Sequence, residues 1–163
     1  MMCSDQIASD HEQYAAARAS AIRFIGISLK SSGRVCAHLV SKGFEEDLAH
    51  HVVNVLIQDR YIDDHRVGRN IISKRRGRHA EGSLKLRQRM LAMGVSPDVV
   101  SGLLLSLVDD DVLIREILEE RFKFDFEEKN DELIARDEYR KVYQFLLGRG
   151  FRSDLVSRYL NNR

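Results

Sequence analysis

The fold is decided by three stretches that align without gaps: RVCAHLVSKGFEEDLAHHVVNVL at residues 34–56, KLRQRMLAMGVSPDVVSGLLLSL at residues 85–107 and KVYQFLLGRGFRSDLVSRYLNN at residues 141–162. In each stretch a base lies nine residues before a glycine, apolar residues lie eight, four and three before it, and another follows it directly. Apolar side chains at this spacing fall on one face of a helix. Each stretch therefore predicts a helix with one buried stripe, a turn at the glycine, and a second helix.

The three glycines, Gly43, Gly94 and Gly150, mark where each first helix ends. A left-handed residue commonly closes a helix, and glycine adopts that conformation at lower cost than a residue with a Cβ atom. After the second glycine, Ser96 is a favourable N-cap and Pro97 suits the first helical position. The sequence therefore predicts the same helical hairpin three times.

A further apolar-striped helix precedes each hairpin, and we predict these helices at residues 11–28, 64–76 and 110–126. Because short helical units seldom bury their apolar faces alone, neighbouring units should stack. The sequence thus predicts an all-α fold, in which three tandem three-helix repeats form an elongated, curved helical array. The repeats span residues 10–62, 63–108 and 109–163 of one continuous domain.

The composition of the 163 residues excludes several classes of protein. With 44% hydrophobic and 31% charged residues, the chain fits a soluble folded protein rather than a disordered one. Its apolar stretches are much shorter than the roughly 20 residues of a membrane span, and residues 1–10 lack the apolar region of a secretory signal. Cys3 and Cys36 are too few for a disulfide framework or a four-ligand zinc site, so we expect a cytoplasmic location.

Charge is concentrated in blocks although the net charge is only +1. Residues 66–89 contain nine bases and a single acid, Glu81, whereas residues 98–138 contain five bases and fourteen acids. Solvated helix faces would account for the acidic block, since acids stabilise a helix start. Eight net positive charges in 24 residues repel one another unless an acidic surface lies opposite. The basic block therefore indicates an acidic partner or a polyanion.

No catalytic or metal-binding motif occurs in the chain. The glycine-rich phosphate loops, the nucleophile elbow and the H-E-x-x-H zinc motif are all absent. His50 and His51 are adjacent, so on a helix they diverge too far to share a metal ion. Asp63, Asp64 and His65 fit a capped acidic helix start better than a carboxylate–imidazole site. We therefore expect no enzyme activity, no cofactor and no bound metal.

The positions of the aromatic residues limit how the basic block could bind DNA. Proteins that bind single strands by stacking nucleobases need aromatic side chains among their basic residues, and residues 66–89 contain no aromatic residue. Any contact between this block and DNA would therefore be to phosphates. Phe122, Phe124 and Phe126 alternate within an acidic helix, where most of them should pack in the core.

Four segments, in order and correctly spaced, resemble the RecX family of bacterial regulatory proteins. They are SSGRVCAHLVSKGF at residues 31–44, LIQDRYIDDHRVGRNII at residues 56–72, KLRQRMLAMGVS at residues 85–96 and VYQFLLGRGF at residues 142–151. The chain departs from the family pattern at Val67, where phenylalanine is common, and at Gly68, where alanine is common. Ser31 and Ser32 also stand where an acidic residue is usual.

The resemblance implies a fold of three tandem three-helix repeats and a partner, the RecA recombinase. It implies a negative regulator that binds the groove of the RecA–single-stranded DNA filament. Such a regulator inhibits ATP hydrolysis, strand exchange and filament growth, and so modulates recombination, DNA repair and the SOS response. We expect a monomer whose bases contact the filament, and DNA through its phosphates: Arg34, Arg66, Arg69, Lys74, Arg75, Arg76, Arg78, Lys85, Arg87, Arg89 and Lys141.

Reversing Arg69, Arg75, Arg76 and Arg78 to glutamate should then abolish inhibition of RecA and leave the fold intact.

Two other functions remain open. A DNA-binding protein of helix-turn-helix-like units would use the same bases without RecA. A scaffold for an unrelated protein would use the acidic helix at residues 109–128.

Overall fold

The structure, a computed structural model, describes residues 2–75, 79–123 and 136–161, with only the backbone described at residues 2–9 and 136. Within these ranges the chain forms helices and no strand, which confirms the all-α prediction. None of the described helices is both long enough and apolar enough to cross a membrane. The helices are α1 (Met2–Ile25), α2 (Ser32–Ser41), α3 (Glu46–Gln58), α4 (Asp64–Ile72), α5 (Ser83–Ala92), α6 (Pro97–Leu105), α7 (Asp110–Phe122), α8 (Arg136–Gly148) and α9 (Ser153–Asn161).

The three glycine turns are confirmed. Gly43, Gly94 and Gly150 adopt φ values of 89°, 77° and 82°, in the left-handed region. At the end of α2, Gly43 N–H donates to the carbonyl of Val40 over 2.9 Å, and the next residue donates to the carbonyl four residues before the glycine over 3.2 Å. The same two bonds close α8 around Gly150. This double closure satisfies carbonyl groups that a helix end otherwise leaves unpaired.

Helix α3 ends in the same way, but with a non-glycine residue. Arg60 has φ 62°, and its N–H donates to the carbonyl of Ile57 over 3.0 Å. Tyr61 N–H then donates to the carbonyl of Leu56 over 2.9 Å. A side chain in the left-handed conformation costs about 1–2 kcal/mol, so Arg60 stores strain.

Replacing Arg60 by glycine should therefore raise the free energy of unfolding by about 0.5–1 kcal/mol, since glycine's larger entropy in the unfolded chain offsets part of the relief. Urea unfolding followed by circular dichroism would measure the change. Gln58→Gly, in the last turn of the same helix, is the control and should lower stability by about 1 kcal/mol. A loss of stability in Arg60→Gly would refute the strain.

Contacts between Cα atoms divide the chain into two compact units. Unit 1 contains Met1–Gly68 and Leu91–Val100, and unit 2 contains Arg69–Met90 and Ser101–Arg163. The core of unit 1 consists of Ala17, Ala21, Ile25, Val35, Leu39, Ala49, Val52, Val53, Leu56 and Ile62. The core of unit 2 consists of Ala80, Leu113, Ile114, Ile117, Leu118, Val142, Leu146, Phe151, Val156 and Leu160.

The buried stripe before each glycine is narrower than predicted. The residues eight and four before the glycines are buried, as expected. The residues three before them, Val40, Leu91 and Leu147, are 45%, 40% and 38% exposed, so the prediction of burial was wrong there in all three hairpins. Successive helical residues point about 100° apart, and the residue four before the glycine takes the core position.

Two predicted helix ends were also too late. Helix α1 ends at Ile25 rather than at residue 28, because Gly26 has φ 49° and breaks the helix. Helix α4 ends at Ile72 rather than at residue 76.

Candidate functional site

A buried carboxylate ties the helices of unit 1 together near the start of the basic block. Asp64, the first residue of α4, accepts hydrogen bonds from Ser32 N–H over 2.8 Å, from Ser32 Oγ over 2.6 Å and from Ser96 N–H over 2.7 Å. Its neighbour Asp63 caps α4 by accepting from Arg66 N–H over 2.8 Å. The predicted cap is therefore Asp63 alone, and Asp64 stabilises the N-terminus of α2.

Unit 2 repeats this arrangement. Asp110, the first residue of α7, accepts from Ser83 N–H over 3.1 Å and from Ser83 Oγ over 2.7 Å at the start of α5. Asp109 caps α7 by accepting from Asp111 N–H. Ser32 and Ser83 lie 51 residues apart, the spacing of the first two glycine turns. The two carboxylates thus perform the same task in the two units.

The third partner of Asp110 is Arg75, which the sequence assigned to the contact with the filament. Its side chain is only 4% exposed and forms an ion pair with Asp110 through Nη2. Its Nε and Nη1 atoms are buried and meet no acceptor among the described residues. Because a glutamate there would face Asp110 inside unit 2, reversing Arg75 should destabilise that unit, contrary to the expectation from the sequence. Arg75 is a structural residue and is removed from the candidate contact set.

The other bases of the block differ in their availability. Arg66, Arg69, Lys74, Arg87 and Arg89 are exposed, and Lys85 is half-buried. Arg89 forms two 2.6 Å hydrogen bonds with Glu81, and this hydrogen bonding raises its pKa. Arg76 and Arg78 lie outside the described residues.

Bases in the two equivalent repeat positions reach towards the next glycine turn. Arg34 Nη2 lies 3.6 Å from Met93 Sδ in unit 1. Lys85 Nζ donates to the carbonyl of Gly148 over 2.6 Å in unit 2. Lys141, in the third such position, is exposed. Arg34 and Lys85 therefore contribute to packing within their units as well as positive charge.

Sequence reasoning missed a group of bases arranged around an aromatic ring. In unit 2 the Cζ atoms of Arg121 and Arg149 lie 4.4 Å and 5.1 Å from the ring centre of Phe145. The ring of Phe122 meets the same ring edge-on, with centres 5.5 Å apart. Arg121 and Phe122 belong to α7, Phe145 belongs to α8 and Arg149 lies in the turn after α8, so no local motif connects them. We call Arg121, Phe122, Phe145 and Arg149 the aromatic–arginine cluster.

No group of three or more potential metal ligands occurs in the described part of the chain. His65 follows the Asp63 and Asp64 carboxylates but is exposed, and those carboxylates are engaged with backbone and serine donors. The described residues of the site offer charged contacts and hydrogen-bond donors.

Comparisons with known proteins find RecX regulatory proteins. Residues 128–160 match the family model described as RecX, third three-helix domain. The chain is 26% identical over 159 residues to the regulatory protein RecX of Clostridium tetani, covering 96% of this chain and 71% of that protein. It is 31% identical over 84 residues to the regulatory protein RecX of Halalkalibacterium halodurans, covering 52% of this chain and 32% of that one.

Solved structures share the fold. The crystal structure of RecX from Lactobacillus salivarius superposes with a TM-score of 0.65 at 18% identity, covering 94% of this chain and 99% of that one. A second crystal structure, of a regulatory protein RecX, also gives 0.65, at 19% identity, covering 98% of this chain and 77% of that one. The order of the quoted segments, the glycine turns and these matches agree: this chain is similar to RecX regulatory proteins, at residues 128–160 by the family model and over nearly its whole length in sequence and in fold.

Proposed function

We propose that this protein is a non-catalytic negative regulator of RecA. It binds in the groove of the RecA–single-stranded DNA filament as a monomer in the cytoplasm, inhibits ATP hydrolysis and strand exchange, and limits filament growth. The consequence is a reduced recombination and SOS response. The similarity to RecX regulatory proteins over nearly the whole chain carries this proposal, and the three-repeat organisation at residues 10–62, 63–108 and 109–163 is part of it.

The exposed bases of residues 66–89 support an electrostatic contact with the filament, which carries DNA phosphates. The contact set now consists of Arg34, Arg66, Arg69, Lys74, Lys85, Arg87, Arg89 and Lys141, together with Arg76 and Arg78 from the sequence. Each exposed ion pair contributes only about 0.2–1 kcal/mol, so the affinity must come from many contacts over a large surface. Binding should therefore weaken as salt rises.

A charge-reversal variant tests this contact without touching Arg75. Arg69→Glu, Lys74→Glu and Arg87→Glu combined should raise the protein concentration needed for half-inhibition of RecA ATPase by about 10- to 100-fold, because three weak contacts are lost and repulsion replaces them. The measurement is the RecA ATPase rate on single-stranded DNA against protein concentration.

The matched control reverses three bases outside the block, Arg23, Lys42 and Arg140, and so changes the net charge equally. It should inhibit RecA as well as the unaltered protein does. An equal loss of inhibition in both triple variants would show that net charge, rather than this block, governs the effect. Unaltered protein that binds DNA tightly at physiological salt and has no effect on RecA would favour the stand-alone DNA-binding protein.

A further inference from the structure

The aromatic–arginine cluster lies in unit 2, outside the contact set inferred from residues 66–89. Arg121 of α7 and Arg149, in the turn after α8, converge on one half-buried phenylalanine, within the range at which a cation is attracted to an aromatic ring. Arg121 also lies over the ring of Phe122, with its Cζ atom 5.8 Å from the ring centre. The rings therefore hold both guanidinium groups in place before any ligand arrives.

The charge of the cluster is not neutralised by the described residues. Neither Arg121 nor Arg149 has a carboxylate within salt-bridge distance in the described part of the chain, whereas Arg152 and Arg158 pair with Asp154 and Asp111. A third cation, Lys85 of the contact set, lies beside the cluster, because its Nζ donates to the carbonyl of Gly148, the residue before Arg149. One of its three N–H groups is used there, and two remain for a ligand.

We propose that the aromatic–arginine cluster binds single-stranded nucleic acid, with Arg121, Arg149 and Lys85 on the phosphates and the half-buried ring of Phe145 beside them for a nucleobase. A guanidinium group presents a planar fork of donors that matches a phosphate. Aromatic side chains among basic residues are the usual platform on which the nucleobases of a single strand stack. A duplex does not expose its nucleobases in this way. An acidic peptide would use the cations but not the rings.

This contact does not need RecA to form. Its contribution to filament recognition rests on the proposed function, in which the strand inside the filament would be the natural ligand. The experiment is therefore carried out without RecA, so that it succeeds or fails independently of the ATPase assay.

Fluorescence anisotropy of a labelled oligothymidylate about 20 nucleotides long, which exceeds typical single-strand site sizes, would measure binding at several salt concentrations. Arg121→Ala and Arg149→Ala should each weaken binding about fivefold and each lower the salt-dependence slope by about 0.7. Arg140→Ala, which removes an exposed arginine from α8, is the matched control and should change neither quantity. Circular dichroism would confirm that each variant is folded.

Two further arms identify the ligand. Phe145→Leu keeps an apolar side chain in the core but removes the ring, so it should weaken binding of the oligothymidylate more than binding of inorganic polyphosphate, which has no bases. Equal losses in Arg121→Ala, Arg149→Ala and Arg140→Ala would overturn the site. Equally tight binding of duplex DNA or of polyglutamate, with the same dependence on Arg121 and Arg149, would overturn the assignment to single strands.

Discussion

Replacing Gly150 by alanine should lower the free energy of unfolding by about 2–5 kcal/mol, which combines the left-handed backbone penalty with overpacking. A Cβ atom at Gly150 would overlap the Cβ of Lys85 and lie 2.6 Å from its backbone nitrogen. Lys85 lies within α5, so the backbone of a helix would have to move. Gly82 adds to the close approach, since its N–H donates to the carbonyl of Arg149 over 2.8 Å.

Gly43→Ala is the matched control for this prediction. Gly43 has φ 89° against 82° for Gly150, and the two close their helices with the same pair of hydrogen bonds. A Cβ atom at Gly43, however, would meet no atom within 4 Å. Its cost should therefore be the backbone term alone, about 1–2 kcal/mol.

Urea unfolding of both variants, followed by circular dichroism, isolates the cost of the close approach as the difference between them. Equal destabilisation of Gly43→Ala and Gly150→Ala would show that Lys85 and α5 yield freely at this contact.

Replacing Asp64 by alanine should lower the free energy of unfolding by about 2–4 kcal/mol, because it strips acceptors from two backbone N–H groups and a hydroxyl at a buried position. The acceptor is only 8% exposed, so water cannot readily take its place. Asp63→Ala changes the adjacent residue, which caps α4 in a more exposed position, and should cost about 1 kcal/mol. Asp64→Asn, which keeps the size and one acceptor oxygen, should fall between the two.

A local measurement distinguishes this role from a general loss of stability. Hydrogen exchange of the Ser96 amide, which donates to Asp64 over 2.7 Å, should accelerate more in Asp64→Ala than in Asp63→Ala after correction for global stability. An unchanged Ser96 exchange rate in Asp64→Ala would contradict the assignment.

The helices and their glycine turns could be predicted because both signals are local. Apolar spacing and a glycine at the helix end act within about one hairpin of sequence, and they determine the conformation of Gly43, Gly94 and Gly150 almost alone. The order of the four quoted segments indicated the family that the chain resembles. The basic block was also visible, since it is continuous in sequence.

The contacts that join one hairpin to the next could not be predicted, because their partners are distant in sequence. Asp64 reads as a cap, yet its donors, Ser32 and Ser96, each lie 32 residues away. Arg75 reads as a surface base until Asp110, 35 residues later, is placed beside it. The close approach in unit 2 involves Gly82, whose position corresponds to a serine in the first hairpin, so aligning the repeats does not reveal it.

The aromatic–arginine cluster could not be predicted from the sequence for a related reason. Arg121 belongs to an acidic stretch and Phe145 to an apolar stripe, so each residue has an adequate explanation by itself. Only their placement on α7 and α8 brings the charge and the ring together.

The division of the chain into units has a consequence for modular exchange. The three middle helices are shared between the units, since α4, α5 and α6 each begin in one unit and end in the other. A fragment ending at Gly68 would therefore lose the amide that satisfies Asp64 and the carbonyl of Met93 that accepts from Ser31. A segment transplanted from this chain would have to bring the serine, aspartate and glycine partners of its neighbours with it.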